Sequence, residues 1–327
     1  MSLRAELRSF AQNLAPSESE VRRAAENTDR ITRAVHNHFR GRGIVDRITP
    51  FGSYAKKVSI RGNMDVDIIV YINGRDPPFD DVVKQLYSIV INQFTSSCRK
   101  DSYGVYFTFN DLKVDLLPAR NFLPSESSHD PDVDRKARVQ HRRALNYVKG
   151  IPERARDRYS TSLSFVSVIF EKERDSFSHS LSRLAKYWSF KVPVDGLKPR
   201  SSIMEYLAAY AADHESSSQD LLKGFQYFLK LFEFSDSLHI YWTEFYSEYD
   251  IPESLRRKRP LLLDPCNPFN NLLEANGVNN ANCLLLMRPY ARATLQRLED
   301  AQQRLSQGGY IGIDEILQPD SSGCVRP

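Results

Sequence analysis

Two periods organise the apolar positions of this chain, and the change of period predicts its layout. The first forty residues follow helical spacing. Leu3, Leu7, Phe10 and Leu14 predict an amphipathic helix over 3–14. Pro16-Ser17 interrupts it, and Ser17 or Ser19 can cap a second helix over 19–39 with Glu20 in its first turn. Val21, Ala24, Ala25, Ile31, Ala34, Val35 and Phe39 form its inner side, and Arg22, Arg23, Arg30, Arg33, His36 and His38 its outer side. Strand-like runs then take over. Residues 44–51 lead into Gly52-Ser53, Ile68–Ile72 is a β-branched run, and 103–118 reads as a hairpin turning at Asn110-Asp111. A short helix over 53–60 and an amphipathic one over 79–97 lie between these strands. The Ser-, Pro- and Asp-rich stretch 120–134 reads as an exposed, mobile loop.

From about residue 159 the pattern is helical. An all-round apolar helix carries Leu163, Phe165, Val166, Val168, Ile169 and Phe170, and further helices are predicted over 177–190, 202–213 and 219–234. Ser201 or Ser202 can cap the third of these four, with Glu205 placed as a capping-box acid. The segment 236–247 is aromatic core, and the tail beyond 305 weakens into surface strand and disorder. The expected fold class is α/β (α+β): a small mixed sheet with N-terminal helices over 1–158, packed on a helical lobe over 159–327.

Candidate chemistry is concentrated around the Gly-Ser turn. A glycine-serine turn between a strand and a helix start can direct backbone N–H groups and a hydroxyl at a phosphate. Asp65 and Asp67 open the following strand, and residues two apart on a strand share a face. Asp115 lies in the second hairpin strand among apolar neighbours, where an acid is costly unless paired, solvated or metal-bound. Three carboxylates on two strands can hold hard cations such as Mg²⁺.

Composition adds limits. The longest apolar runs are strand-length, which excludes a membrane span, and the N-terminal stretch lacks a signal peptide's apolar core. Cys98, Cys266, Cys283 and Cys324 have no zinc-site or disulfide-framework spacing, so the expected compartment is reducing, cytoplasmic or nuclear. The net charge of +4 is mild, but 135–158 is crowded with Arg and Lys. That stretch is either a phosphate-facing surface or a solvated connector.

The order Gly52-Ser53, Asp65-Val66-Asp67, Asp115 resembles the pattern of the nucleotidyltransferase superfamily. Val114–Ala119, Leu181–Trp188 (with Arg183, Lys186 and Trp188 as Arg-x-x-Lys-x-Trp), Ile240–Thr243 and Arg259–Pro268 resemble signatures of the 2′-5′-oligoadenylate synthetases. The resemblance runs from about residue 20 to about 275. It implies a polymerase-beta-like core and transfer of AMP from ATP into 2′-5′-linked oligoadenylates, with release of pyrophosphate. It also implies two Mg²⁺ ions, with Mn²⁺ as a substitute, held by Asp65, Asp67 and Asp115. ATP would be held by Gly52, Ser53, Arg183, Lys186 and Ser202, with Lys56 and Lys57 as weaker phosphate contacts. Double-stranded RNA is the implied partner, facing Arg22, Arg23, Arg30, Arg33 and Lys172, in innate-immune antiviral signalling. A cGAS-like enzyme making a cyclic dinucleotide and a catalytically inactive RNA-binding scaffold are the alternatives. The chain departs from the family where Gly-Ser-Ser-Gly-Lys-Gly becomes Gly-Ser-Tyr-Ala-Lys-Lys, and where a Gln-Tyr pair becomes Ser201-Ser202. It departs again at 171–175, which is nearly charge-balanced where vertebrate members are basic.

Overall fold

Residues 45–120 build a five-stranded sheet, and the rest of the chain packs on its two faces. The computed structural model describes residues 2–122, 133–194, 198–215, 218–274, 280–307, 309 and 312–318. The strands are β1 Val45–Phe51, β2 Asp65–Ile72, β3 Cys98–Lys100, β4 Val105–Phe109 and β5 Leu112–Arg120, in the sheet order β1-β2-β5-β4-β3. β2 and β5 run parallel at the centre, and the other pairings are antiparallel. Asn110 and Asp111 both have positive φ (48° and 61°), as a two-residue hairpin turn with primed geometry requires.

Two helices precede the sheet. α1 (Leu3–Asn13) is capped by Ser2, and α2 (Glu18–Phe39) by a capping box between Ser17 and Glu20. The inner side of α2 is narrower than its spacing predicts, because Val21 and Ala25 are exposed. α3 spans only Gly52–Ala55, shorter than the expected 53–60, since Lys57 adopts φ 62° and ends the helical path. α4 (Phe79–Gln93) likewise stops early, and the chain enters β3.

β2 shows how the sheet divides the core. Val66, Ile68, Val70 and Ile72 point to one face, packed with Ile31, Val35 and Phe39 of α2 and with Val82, Leu86 and Val90 of α4. Ile69 and Tyr71 point to the other face, as does Ala119 of β5, and they join the core of the helical part. Side-chain alternation therefore puts Asp65 and Asp67 on the face turned toward those helices.

The helical part consists of α5 (Val133–Lys149), α6 (Ser160–Ser164), α7 (Ser167–Lys172), α8 (Ser176–Lys191), α9 (Ser201–Glu215), α10 (Leu221–Lys230) and α11 (Glu253–Arg256). It ends with α12 (Asn280–Ser306) and α13 (Ile313–Leu317), and β6 (His239–Ile240), β7 (Leu261–Asp264) and β8 (Asn267–Asn271) form a second, three-stranded sheet. α1 packs against α8, α10 and α12, so the N-terminal helix docks on the helical part. The aromatic segment is core: Trp242, Phe245 and Tyr246 are buried.

Other expectations are corrected. The apolar run after 159 is broken into α6 and α7 at Phe165-Val166. The basic stretch 135–158 is mostly α5, and three of its cations form ion pairs: Arg138 with Glu173, Lys149 with Asp250 and Arg158 with Asp80. The tail contains α13, whose Ile313, Ile316 and Leu317 are buried, where surface strand was expected. The expected loop 120–134 lies outside the described residues over 123–132, as does the tail over 319–327. No helix among the described residues is long and apolar enough to cross a membrane.

Candidate active site

Strand register brings the predicted acids together. Asp67 and Asp115 are direct partners across the parallel β2–β5 pair, so their side chains leave the sheet side by side. Asp65 is two residues before Asp67 on the same face, opposite Lys113, whose Nζ lies 4.0 Å from its Oδ1. Burial, and then the Asp115 charge, push Asp67 up to about 7. Burial and the Asp65 charge push Asp115 up to about 6, and burial raises Asp65. Burial is the larger cause throughout, and repulsion between carboxylates adds to it at Asp67 and Asp115.

Gly52 is fitted to this cluster. Its φ of +66° favours glycine, and a Cβ there would lie 1.5 Å from Asp67 Oδ2. The turn backbone thus closes directly over the Asp67 carboxylate. Gly52→Ala is expected to lower any nucleotidyl transfer by about 100-fold or more, because the carboxylate must be displaced by an ångström or so. Initial rates of product formation check it. Ser53 Oγ shares a 3.1 Å hydrogen bond with Ser59 Oγ beside the turn.

The donor set suits a divalent cation in chemistry: three carboxylates and no competing soft ligand, with Asp67 and Asp115 raised in pKa by burial and then by a neighbouring acid's charge. The side-chain conformations leave the set open. Among the described residues no three His, Cys, Asp or Glu side chains converge closely enough to hold a metal ion, and Asp65 faces Lys113.

The raised acids have a stability consequence with a definite sign. A carboxyl whose folded pKa exceeds its unfolded value stabilises the fold below the unfolded pKa, and that contribution is lost as pH rises through the folded one. Without divalent metal, the share of stability due to Asp67 is therefore lost between about pH 4 and pH 7. Thermal melts in chelator across that range should show wild type losing more than Asp67→Asn.

The lysines are placed differently from expectation. Lys186 is buried on α8, and its Nζ lies 2.9 Å from Glu205 Oε2 and donates to Val58 O at 3.2 Å. Lys56, expected beside a phosphate, is also buried; its Nζ lies 2.6 Å from Glu205 Oε1 and 3.2 Å from the Tyr206 hydroxyl. Glu205 is therefore no capping acid: it is a buried carboxylate holding two lysines. Burial alone would raise its pKa, but Lys186 and Lys56 outweigh that and hold it at about 2. Lys56 loses pKa to burial and regains more from Glu205, ending well above its ordinary value. The missed signal was an acid within the apolar run Ile203, Met204, Tyr206, Leu207, which is the argument that singled out Asp115.

Arg183, one turn before Lys186, donates to Lys57 O at 2.5 Å and is half-buried. Ser202 is in the first turn of α9, partly exposed, and since α9 begins at Ser201 both expected caps lie inside the helix. Lys57 is exposed. On α2, Arg22 and Arg23 are exposed, Arg30 stacks over Phe109 with 4.9 Å to the ring centre, and Arg33 pairs with Asp29. Lys172 is exposed at the end of α7. A cavity of about 500 Å³ between α12 and α13, lined by Arg297, Arg304 and Asp314 among others, is remote in sequence from the acids and shares no residue with them.

Two family models account for nearly the whole chain. The Second Messenger Oligonucleotide or Dinucleotide Synthetase domain matches residues 1–134, and domain 2, the C-terminus, of 2′-5′-oligoadenylate synthetase 1 matches residues 142–304. The chain belongs to the oligoadenylate-synthetase-like nucleotidyltransferases. A 2′-5′-oligoadenylate synthase 1A of Rattus norvegicus is 24% identical over 266 residues, 71% of this chain and 72% of that one. The 2′-5′-oligoadenylate synthase-like protein 2 of Mus musculus is 29% identical over 153 residues, 39% of this chain, and the match spans only 30% of that protein's length. An inactive 2′-5′ oligoadenylate synthetase 1C of Mus musculus is 30% identical over 102 residues, covering 28% of each chain. Among solved structures, CdnC of E. coli MS115-1 with ATP has a TM-score of 0.62 at 18% identity, covering 96% of this chain and 94% of that one. That likeness is one of fold, and it spans nearly the whole chain.

Proposed function

We propose that this chain transfers AMP from ATP to a ribose hydroxyl of a second nucleotide, releasing pyrophosphate and building 2′-5′-linked oligoadenylates. The Asp67–Asp115 pairing across parallel strands, with Asp65 on the same face and Gly52 closed over it, carries the reading. Asp65, Asp67 and Asp115 would hold two Mg²⁺ ions, or Mn²⁺ in their place, which supply charge neutralisation for the departing pyrophosphate and lower the pKa of the acceptor hydroxyl. Binding requires Asp65 to leave Lys113 and both buried acids to lose their protons. The Gly52-Ser53 turn would orient the donor phosphates, and Arg183, Lys186 and Ser202 would line the donor site. Lys186 reaches a triphosphate only by leaving Glu205. Residues 1–158 and 159–327 would act as two lobes around this site, with α1 docked on the second.

A second product is favoured by one observation: the model matched by residues 1–134 covers dinucleotide as well as oligonucleotide synthetases, so a cyclic dinucleotide is the rival. An inactive scaffold is the less supported reading, since all three acids are retained on the paired strands β2 and β5. Double-stranded RNA would meet Arg22, Arg23, Arg30 and Arg33, with Lys172, weakly: Arg33 is already paired, and 171–175 adds little positive charge. Incubation with all four nucleoside triphosphates and Mg²⁺, with and without double-stranded RNA, followed by mass spectrometry and linkage-specific nuclease digestion, tests these points together. Linear 2′-5′ products formed without RNA support the reading, whereas 3′-5′ or cyclic products, or synthesis wholly dependent on RNA, overturn its specific terms.

A further inference from the structure

Lys56 and Lys186 share one carboxylate, Glu205, while a second buried carboxylate nearby holds neither. Glu171, on α7, is 0% exposed, and both its carboxyl oxygens lack any hydrogen-bond partner. Facing it are Lys56 from the turn after β1, Lys186 from α8, Glu205 from α9, Arg174 just beyond α7 and Cys266 after β7. Arg174 is committed to Asp213, Glu244 and the Phe170 carbonyl, and the His179 ring bonds only the Glu171 backbone oxygen. Ser167 and Ser182, also fully buried, have hydroxyls without partners.

Charge balance gives this arrangement a use. With both lysines present, two ionised glutamates neutralise the pocket. Once Lys186 departs, Glu205 and Lys56 balance alone, and an ionised Glu171 would be a buried charge offset only by Arg174, which Asp213 and Glu244 already share. We propose that Glu171 is a positioning residue that takes up one solvent proton when Lys186 leaves Glu205 for the donor triphosphate, coupling nucleotide binding to protonation of a buried carboxylate. The new bond is O–H on Glu171, the proton comes from bulk water, and the neutral acid can then donate to the oxygen of Glu205 that Lys186 vacated. Burial, and then the Glu205 charge, already push Glu171 to about 7, so loss of one lysine suffices to load it near neutrality. This inference rests on the donor-site reading of Lys186.

Calorimetric titration of the full chain with metal-free ATP, at about pH 8 in two buffers of different ionisation enthalpy, counts the protons exchanged on binding. Wild type should take up as much as one proton per ATP more than Glu171→Gln does, and Glu171→Asp should restore the difference. A purely structural role for Glu171 would not move this proton count. Equal uptake by wild type and Glu171→Gln between about pH 7 and pH 8 overturns the proposal. Failure of wild type to bind ATP overturns it together with the donor-site reading, whereas binding without Glu171-dependent uptake overturns this inference alone.

Discussion

Asp67→Asn is expected to lower nucleotidyl transfer on the order of a thousandfold or more while leaving the protein folded. The amide has the shape of the carboxylate, so Gly52 can still close over it, but it lacks the charge that a divalent cation requires. Loss of charge also removes the repulsion from Asp115, so the metal-free variant should melt no lower than wild type at neutral pH. Loss of activity with retained stability separates a metal-holding role from a packing role. A folded Asp67→Asn variant with near-normal rates would leave the acid cluster without a catalytic purpose.

Glu205→Ala is expected to cost about 3–5 kcal/mol of folding stability, the range for removing one partner of a buried ion pair. Two ammonium groups, each buried, would lose their shared counter-ion. Glu171 sets where in that range the value falls: its unpartnered carboxylate can accept Lys56, which would hold the loss at the lower end. The double variant Glu205→Ala/Glu171→Gln should then lose more than the sum of the two single changes. Urea unfolding with an unchanged slope checks it, and a shift in midpoint too small to resolve would mean that the lysines find water instead.

The arrangement of acids was legible because it depends on local rules. Period-two alternation put Asp65 and Asp67 on one face, and Asn110-Asp111 fixed the hairpin that carries Asp115. Register between β2 and β5 was not legible, since parallel strands are joined by a long crossover that leaves no short turn to set it. The helix caps followed the same division. Ser17 and Glu20 act within one turn and were readable, whereas Glu205 finds its partners 149 and 19 residues away and was misread as a local cap. Lys186 was assigned by the family resemblance and Lys56 by its place beside the turn, and neither signal discloses a buried carboxylate that holds both. Position 205 carries a signal that sequence can supply, since an acid inside an apolar helical run needs a partner even when the partner cannot be named, whereas Glu171 opens the charged run 171–175 and carries none.

The most direct test of metal-dependent nucleotidyl transfer is pyrophosphate release from ATP by the purified full chain, measured with Mg²⁺ and again in excess chelator, with mass spectrometry of the nucleotide product. The account predicts pyrophosphate and products heavier than ATP by AMP units in Mg²⁺, and neither in chelator or with Asp67→Asn. Hydrolysis to ADP and phosphate alone, or product formation unchanged by chelator, would contradict it.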